Sequence, residues 1–167
     1  GMNAMNSFTM KCLTELGYDY IMPSPELTGV QLASIAEHSA LADRMLIGIH
    51  GRTPLMQLLH CPIKEHKGCQ NCMGIAGAVT DEAGRVFPLV NIRYPDNCLV
   101  RMLNCRTTDL IDLFDKISQT AGYVLNFVGE QIDEVTERIA AANEAMNGKR
   151  QTQYPNSTRG HWVRKVE

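Results

Sequence analysis

Long apolar runs are missing from this chain. None approaches the ~20 residues that a helix needs to cross a hydrocarbon core, so no membrane-spanning helix is expected. An export signal is missing too: the opening GMNAMNS has no basic stretch leading into an apolar one. The expectation is a cytoplasmic protein, with Gly1 ahead of Met2 read as an expression-tag remnant. Basic charge is not in excess. The formal net charge is −2, so nothing advertises a nucleic-acid surface. There is no internal repeat and no low-complexity tract. The H-E-x-x-H of zinc peptidases and the G-x-S-x-G nucleophile elbow are both absent.

Cysteine is what the chain has. Six stand among 167 residues, and with no export signal metal binding or reduced thiols read better than disulfides. Three lie within HCPIKEHKGCQNC: Cys61, Cys69 and Cys72. Cys69 and Cys72 form a C-x-x-C knuckle, whose two-residue spacer aims both sulfurs into one hollow. Cys61 and Cys98 would complete a four-sulfur set. Four thiolates suit a zinc ion or a 4Fe–4S cluster, and spacing alone does not choose between them.

The remaining pattern alternates strands with helices. Phe8 to Leu16 reads as a short helix, and Tyr18 to Met22 as a strand stopped by Pro23 and Pro25. Thr28 with Gln31 makes a capping box for a helix that buries Leu32, Ile35, Ala36 and Ser39. Arg44 to His50 reads as a strand. Pro54 to Cys72 reads as irregular, with one helical turn in its leucine pairs. Val79 to Val90 reads as a hairpin around Asp81 to Gly84, and Cys98 to Asn104 as a strand. Thr107 or Thr108 is expected to cap a helix that Gly122 ends. Tyr123 to Val128 reads as a strand. Glu130 to Met146 reads as a helix with Ile132, Val135, Ile139, Ala142 and Met146 on its buried side.

This order predicts an α/β fold with a partial, half βα-barrel-like parallel sheet and a cysteine-bearing β-hairpin insertion. One domain over 1–148 would carry the insertion at about 54–105, followed by a polar tail over 149–167. The raw edges of a half barrel invite a homodimer or another cover.

Several segments together resemble the collagenase-like peptidase family (peptidase U32). GRTPLMQLLHCPI, from Gly51 to Ile63, is similar to its Gly-Arg-x-Pro-Leu-Met segment leading to Cys-Pro. The C-x-x-C follows, then DEAGRVFPLV from Asp81 to Val90, then CLVRMLN from Cys98 to Asn104. SPEL from Ser24 to Leu27 and TRGHW from Thr158 to Trp162 also fit, so the resemblance spans Asn6 to Val163. It implies a βα-barrel-type fold of which this chain is the C-terminal part, preceded in longer members by an N-terminal half-barrel. It implies a hydrolase acting on peptides. Related members are iron–sulfur proteins that assist hydroxylation of RNA or of a quinone precursor, with four cysteines on a 4Fe–4S cluster. The same positions here are Cys61, Cys69, Cys72 and Cys98. Leu99 replaces the family's Arg, and Cys105 replaces its Ser as a spare thiol.

The alternative is a non-catalytic accessory domain stapled by zinc. No nucleophile or base is assigned. Weak catalytic candidates are His50 and Arg52, at the end of a strand in barrel-like order, and Glu26 after the preceding strand. Asn126, Arg159 and His161 are further polar residues that could reach the same mouth. Cys12, in the first helix, reads as a core thiol.

Overall fold

A computed structural model describes residues 3–69, 72–94, 98–117 and 120–163. Helix α1 (Ser7–Glu15) starts at Asn6, whose side chain accepts the Thr9 amide hydrogen. Helix α2 (Gly29–Ser39) opens on the reciprocal Thr28–Gln31 box and buries the four residues its periodicity indicates. The two helices enclose a first core around Met10, Leu13, Ile35 and Met45. Cys12 is a correction: it is exposed, because the inward face of α1 is Met10 and Leu13.

The strand expected at Tyr18 to Met22 shrinks to one parallel bridge, Ile21 to Met45. Pro23 and Pro25 offer no backbone donors, so pairing stops there. Strand β1 (Leu46–Gly51) follows, with Ile47 and Ile49 buried.

The cysteine-bearing region is more regular than its sequence indicates. Pro54 to Leu58 is not a helical turn but strand β2. Helix α3 (Pro62–Lys67) comes next, with proline at its first position, where a missing N–H costs nothing. Strands β3 (Gly74–Thr80) and β4 (Val86–Arg93) form the expected hairpin, and β5 (Cys98–Leu103) the expected strand. These four make one antiparallel sheet in the order β2-β5-β4-β3. Pairing with β5 overrides the weak local preference of the leucine pairs. At the hairpin turn the Asp81 carboxylate accepts the Ala83 and Arg85 amides. The Arg85 backbone hydrogen bond, more than any other contact, holds that carboxyl below its ordinary range.

A second correction concerns the helix expected after Thr107. Thr108–Asp109 is instead strand β6, antiparallel to β1, and Ile111–Lys116 is a 3₁₀ turn. Strand β7 (Gly122–Leu125) lies parallel to β1 on its other side, giving a three-stranded sheet β6-β1-β7. The chain is therefore a mixed α/β structure with two sheets, and among the described residues no barrel closes.

Helix α4 (Ile132–Met146) forms where the periodicity places it but turns a different face inward. Arg138, Ala141, Ala142 and Ala145 are buried against Ile47, Ile49, Leu110 and Ile111. Ile132, Ile139 and Met146 are exposed, at 75%, 45% and 56%. Alanine lets the helix approach the sheet closely, and the bulky stripe is left outside. Arg138 is consequently buried, with its Nη2 on Glu137 at 2.6 Å. No described helix is long and apolar enough to cross a membrane.

The last described stretch is anchored rather than loose. Thr158 bridges Thr108 in parallel, and the Gly29 amide donates to the Trp162 carbonyl at 3.0 Å. Trp162 packs against both core clusters, so tight against Gly29 that a Cβ there would lie 2.6 Å from the indole. Trp162→Ala should lower stability by about 2 kcal/mol. A shift of the urea midpoint at constant slope checks it, and an unchanged midpoint would show that the C-terminal stretch is not part of the cooperative unit.

Candidate functional site

Two chemically distinct regions sit at opposite ends of the four-stranded sheet. The first is the thiol end. Strand β2 ends with Leu58 opposite Val100, so Cys61 lies just beyond the sheet beside the start of β5. Cys98 begins β5 opposite Arg93, the last residue of β4. Gly74 begins β3 opposite Asn91, which places Cys72 alongside that end of β4. Cys69 follows α3 and is the first cysteine of the knuckle. Strands β2 and β4 thus finish where β5 and β3 start, and Cys61, Cys72 and Cys98 belong to one sheet end.

Asn91 is buried there and donates from Nδ2 to the Cys72 sulfur at 3.2 Å and to its carbonyl at 3.3 Å. Its Oδ1 has no partner. The side chains themselves have not gathered. Among the described residues no three His, Cys, Asp or Glu side chains form a metal-holding group, and none of the six cysteines is in a disulfide. The donor set suits a thiophilic metal, but the sulfurs would have to turn toward one another. Cys105 lies at the other end of β5, so the register makes it no substitute for Cys98. His60, next to Cys61, meets Glu65 through Nε2 at 3.1 Å on the exposed surface.

The second region is a cavity of about 470 Å³ at the C-terminal ends of the parallel strands β1 and β7. His50, Arg52, Asn126, Arg159 and His161, all marked by the sequence, line it together. Glu26 does not: it is exposed, and the lining passes through Pro25 and Leu27 beside it. Gly51 has φ +140, and a Cβ there would meet the Asn126 carbonyl at 2.7 Å. Glycine is what lets β1 and β7 close at this point.

His50 is almost fully buried, and its Nδ1 lies 2.7 Å from Asp109 Oδ2, itself buried. The two belong to paired residues of β1 and β6, so the antiparallel register delivers the contact. The other Asp109 oxygen accepts the Ile111 amide at 3.3 Å, and Arg138 Nη1 stands 3.9 Å away. Arg138 lies over the Tyr154 ring at 4.4 Å, and His50 has Phe127 and Tyr154 at 5.2 and 5.8 Å. Burial, with Glu134 next in effect, pushes the Tyr154 hydroxyl above its ordinary pKa. Arg159 donates to the Asp109 carbonyl at 2.9 Å and clamps Asp112 with both terminal nitrogens.

Sequence reasoning did not single out Asp109, Arg138 or Tyr154. The available signals were an acid inside the apolar run TTDLIDLF and an arginine in register with three alanines. Compared with protein-family models, curated proteins and solved structures, the chain gives no match.

Asp109→Ala removes the acceptor from two buried cationic or proton-bearing partners. It should cost about 3 kcal/mol, within the range for breaking a buried pair from one side. Chemical denaturation measures it, and a loss below 1 kcal/mol would mean the pair is not the tether its burial implies.

Proposed function

We propose that this chain belongs to the collagenase-like peptidase family and that Cys61, Cys69, Cys72 and Cys98 hold one metal centre. The observation that supports the metal reading is the strand register that brings Cys61, Cys72 and Cys98 to one sheet end, with Cys69 three residues before Cys72 in the sequence. The Asn91 amide on the Cys72 sulfur supports it, since a ligating thiolate needs such an outer contact. The sheet itself has a thin core: β2 has no buried residue, and neither has β3. A centre joining the ends of its strands would hold it together. Bound there, zinc would supply a closed structural staple, and a 4Fe–4S cluster would supply one-electron transfer.

The activity that goes with the family is peptide hydrolysis. Assistance to hydroxylation of RNA or a quinone precursor goes with the cluster, and a zinc-stapled accessory role with zinc. The thin sheet favours a structural centre. Arg52 and Asn104 stand at the far end of β2 and β5 from the cysteines, five residues or about 17 Å of strand away. His50, beside Arg52, is thus an unsuitable ligand for the same centre.

The barrel reading rests on the parallel β1–β7 pair, the parallel Ile21–Met45 bridge, and the cavity at the strand C-termini. Among the described residues β7 pairs only with β1. That edge, with the bulky outer stripe of α4, is where a second copy or a further half-barrel would lie. A homodimer is the expected result of size-exclusion chromatography with light scattering, and a monomer overturns self-association.

Protein purified without oxygen should contain one metal centre per chain. Brown colour with absorbance near ~400 nm identifies iron–sulfur, and a colourless protein with zinc by elemental analysis identifies the staple. Cys69→Ser should abolish metal content and lower the unfolding midpoint, because site binding and folding are coupled. Retained metal with unchanged stability would remove the cysteine assignment.

A further inference from the structure

We infer that the cavity at the ends of β1 and β7 binds a small carboxylate with an apolar side chain and an O–H or N–H donor on its α-carbon. The inference is independent of the metal reading, which concerns the other end of the sheet. Three features of the wall define the ligand.

The first is a buried hydrogen-bond acceptor. His50 is only 4% exposed, yet it lines the cavity. Asp109, as a carboxylate, can only accept, so the Nδ1 it contacts at 2.7 Å carries the proton. With Nδ1 engaged, Nε2 is the remaining polar atom of the ring, and the Nδ1–H tautomer offers a lone pair there. Phe127 and Tyr154 flank the ring and fix its plane. A ligand O–H or N–H satisfies this nitrogen.

The second is a cation without a counter-charge. Arg52 Nη1 donates to the Asn104 carbonyl at 2.9 Å and the Cys105 carbonyl at 2.7 Å. Those bonds pin the guanidinium and leave Nε and Nη2 as donors. Among the described residues no carboxylate lies in ion-pair distance of Arg52. Arg159, in the same wall, is already neutralised by Asp112. A ligand carboxylate therefore goes to Arg52, whose planar fork suits it. His50 lies near the end of β1 and Arg52 directly follows it, so both groups line the same cavity.

The third is apolar volume. Met22, Leu27, Leu55 and Trp162 line the rest of the cavity, and its size is that of a small-molecule pocket. They would cover a branched hydrocarbon side chain.

Trp162 is the only tryptophan in the chain, so selective excitation reports on this cavity alone. The intact protein, with whatever metal it carries, is titrated with 2-hydroxy-4-methylpentanoate. A saturable change in emission is expected. With 4-methylpentanoate, which lacks the donor, and with 2-hydroxy-4-methylpentanamide, which lacks the charge, affinity should fall about tenfold or more each, as for loss of one bond to a charged or buried group. These comparisons need no variant to fold. Arg52→Gln should remove the preference for the acid over the amide while keeping the preference for the hydroxyl. No saturable change, or equal binding of all three compounds, overturns the site. Undiminished selectivity for the acid in Arg52→Gln overturns the assigned role of Arg52.

Discussion

The buried Asp109 carboxylate is the constraint on which this structure turns. An ionised group taken fully out of water is tolerated only where partners replace its hydration. Here the partners come from separate parts of the chain. His50 comes from β1, Arg138 from α4, and the Ile111 amide from the turn after β6. Arg159 adds a bond to the Asp109 carbonyl from the C-terminal stretch. Each partner fixes an element that could otherwise slide. The helix must present Arg138 inward, so its alanines face the sheet and its isoleucines do not. The 3₁₀ turn replaces a full helix because Thr108 and Asp109 are held extended between β1 and Thr158.

The two sheets live under different physical regimes. The β6-β1-β7 sheet is sealed by α4 and by Trp162, and its central strand has fully buried Ile49 at its middle. The β2-β5-β4-β3 sheet buries chiefly Leu89, Asn91, Val100 and Leu103, with much apolar surface left in water. Backbone pairing supplies most of what orders it. Such a sheet depends on what holds its strand ends, and at one end that is the Asp81–Arg85 turn.

Legibility in the sequence followed how local each cause was. The Thr28 capping box, the Asp81 turn and the four buried positions of α2 are set by residues within a few places of one another, and the pattern alone identifies them. The C-x-x-C spacing can be read from the sequence for a different reason: it is chemical, and its metal reading stays a proposal. The larger misreadings involve distant partners. Pro54 to Leu58 becomes a strand only because β5, some forty residues on, pairs with it. The inward face of α4 is chosen by Asp109, which the helix pattern does not contain. The bulky stripe at Ile132, Ile139 and Met146 carries the stronger periodic signal, but a buried carboxylate needs a cation more than a core needs one more isoleucine. Glu26 misses the cavity because the proline-flanked loop turns it to solvent, while His50 and Arg52 line it from the end of β1.

The two regions are physically linked although they are far apart. Strand β5 begins at Cys98, and the residues that follow its end, Asn104 and Cys105, supply the carbonyls that pin Arg52. A one-residue slip of β5 against β2 would invert which side chains face inward and carry those carbonyls away from the guanidinium. The pairing of β2 with β5 is already irregular between Pro54 and Met56, close to Arg52, so this end of the ladder has little register control of its own. Control must come from the rest of the sheet, including the end where the cysteines lie. A shift of register at the cysteine end would therefore be felt at the carbonyls that hold Arg52, since a rigid antiparallel strand transmits its position from one end to the other.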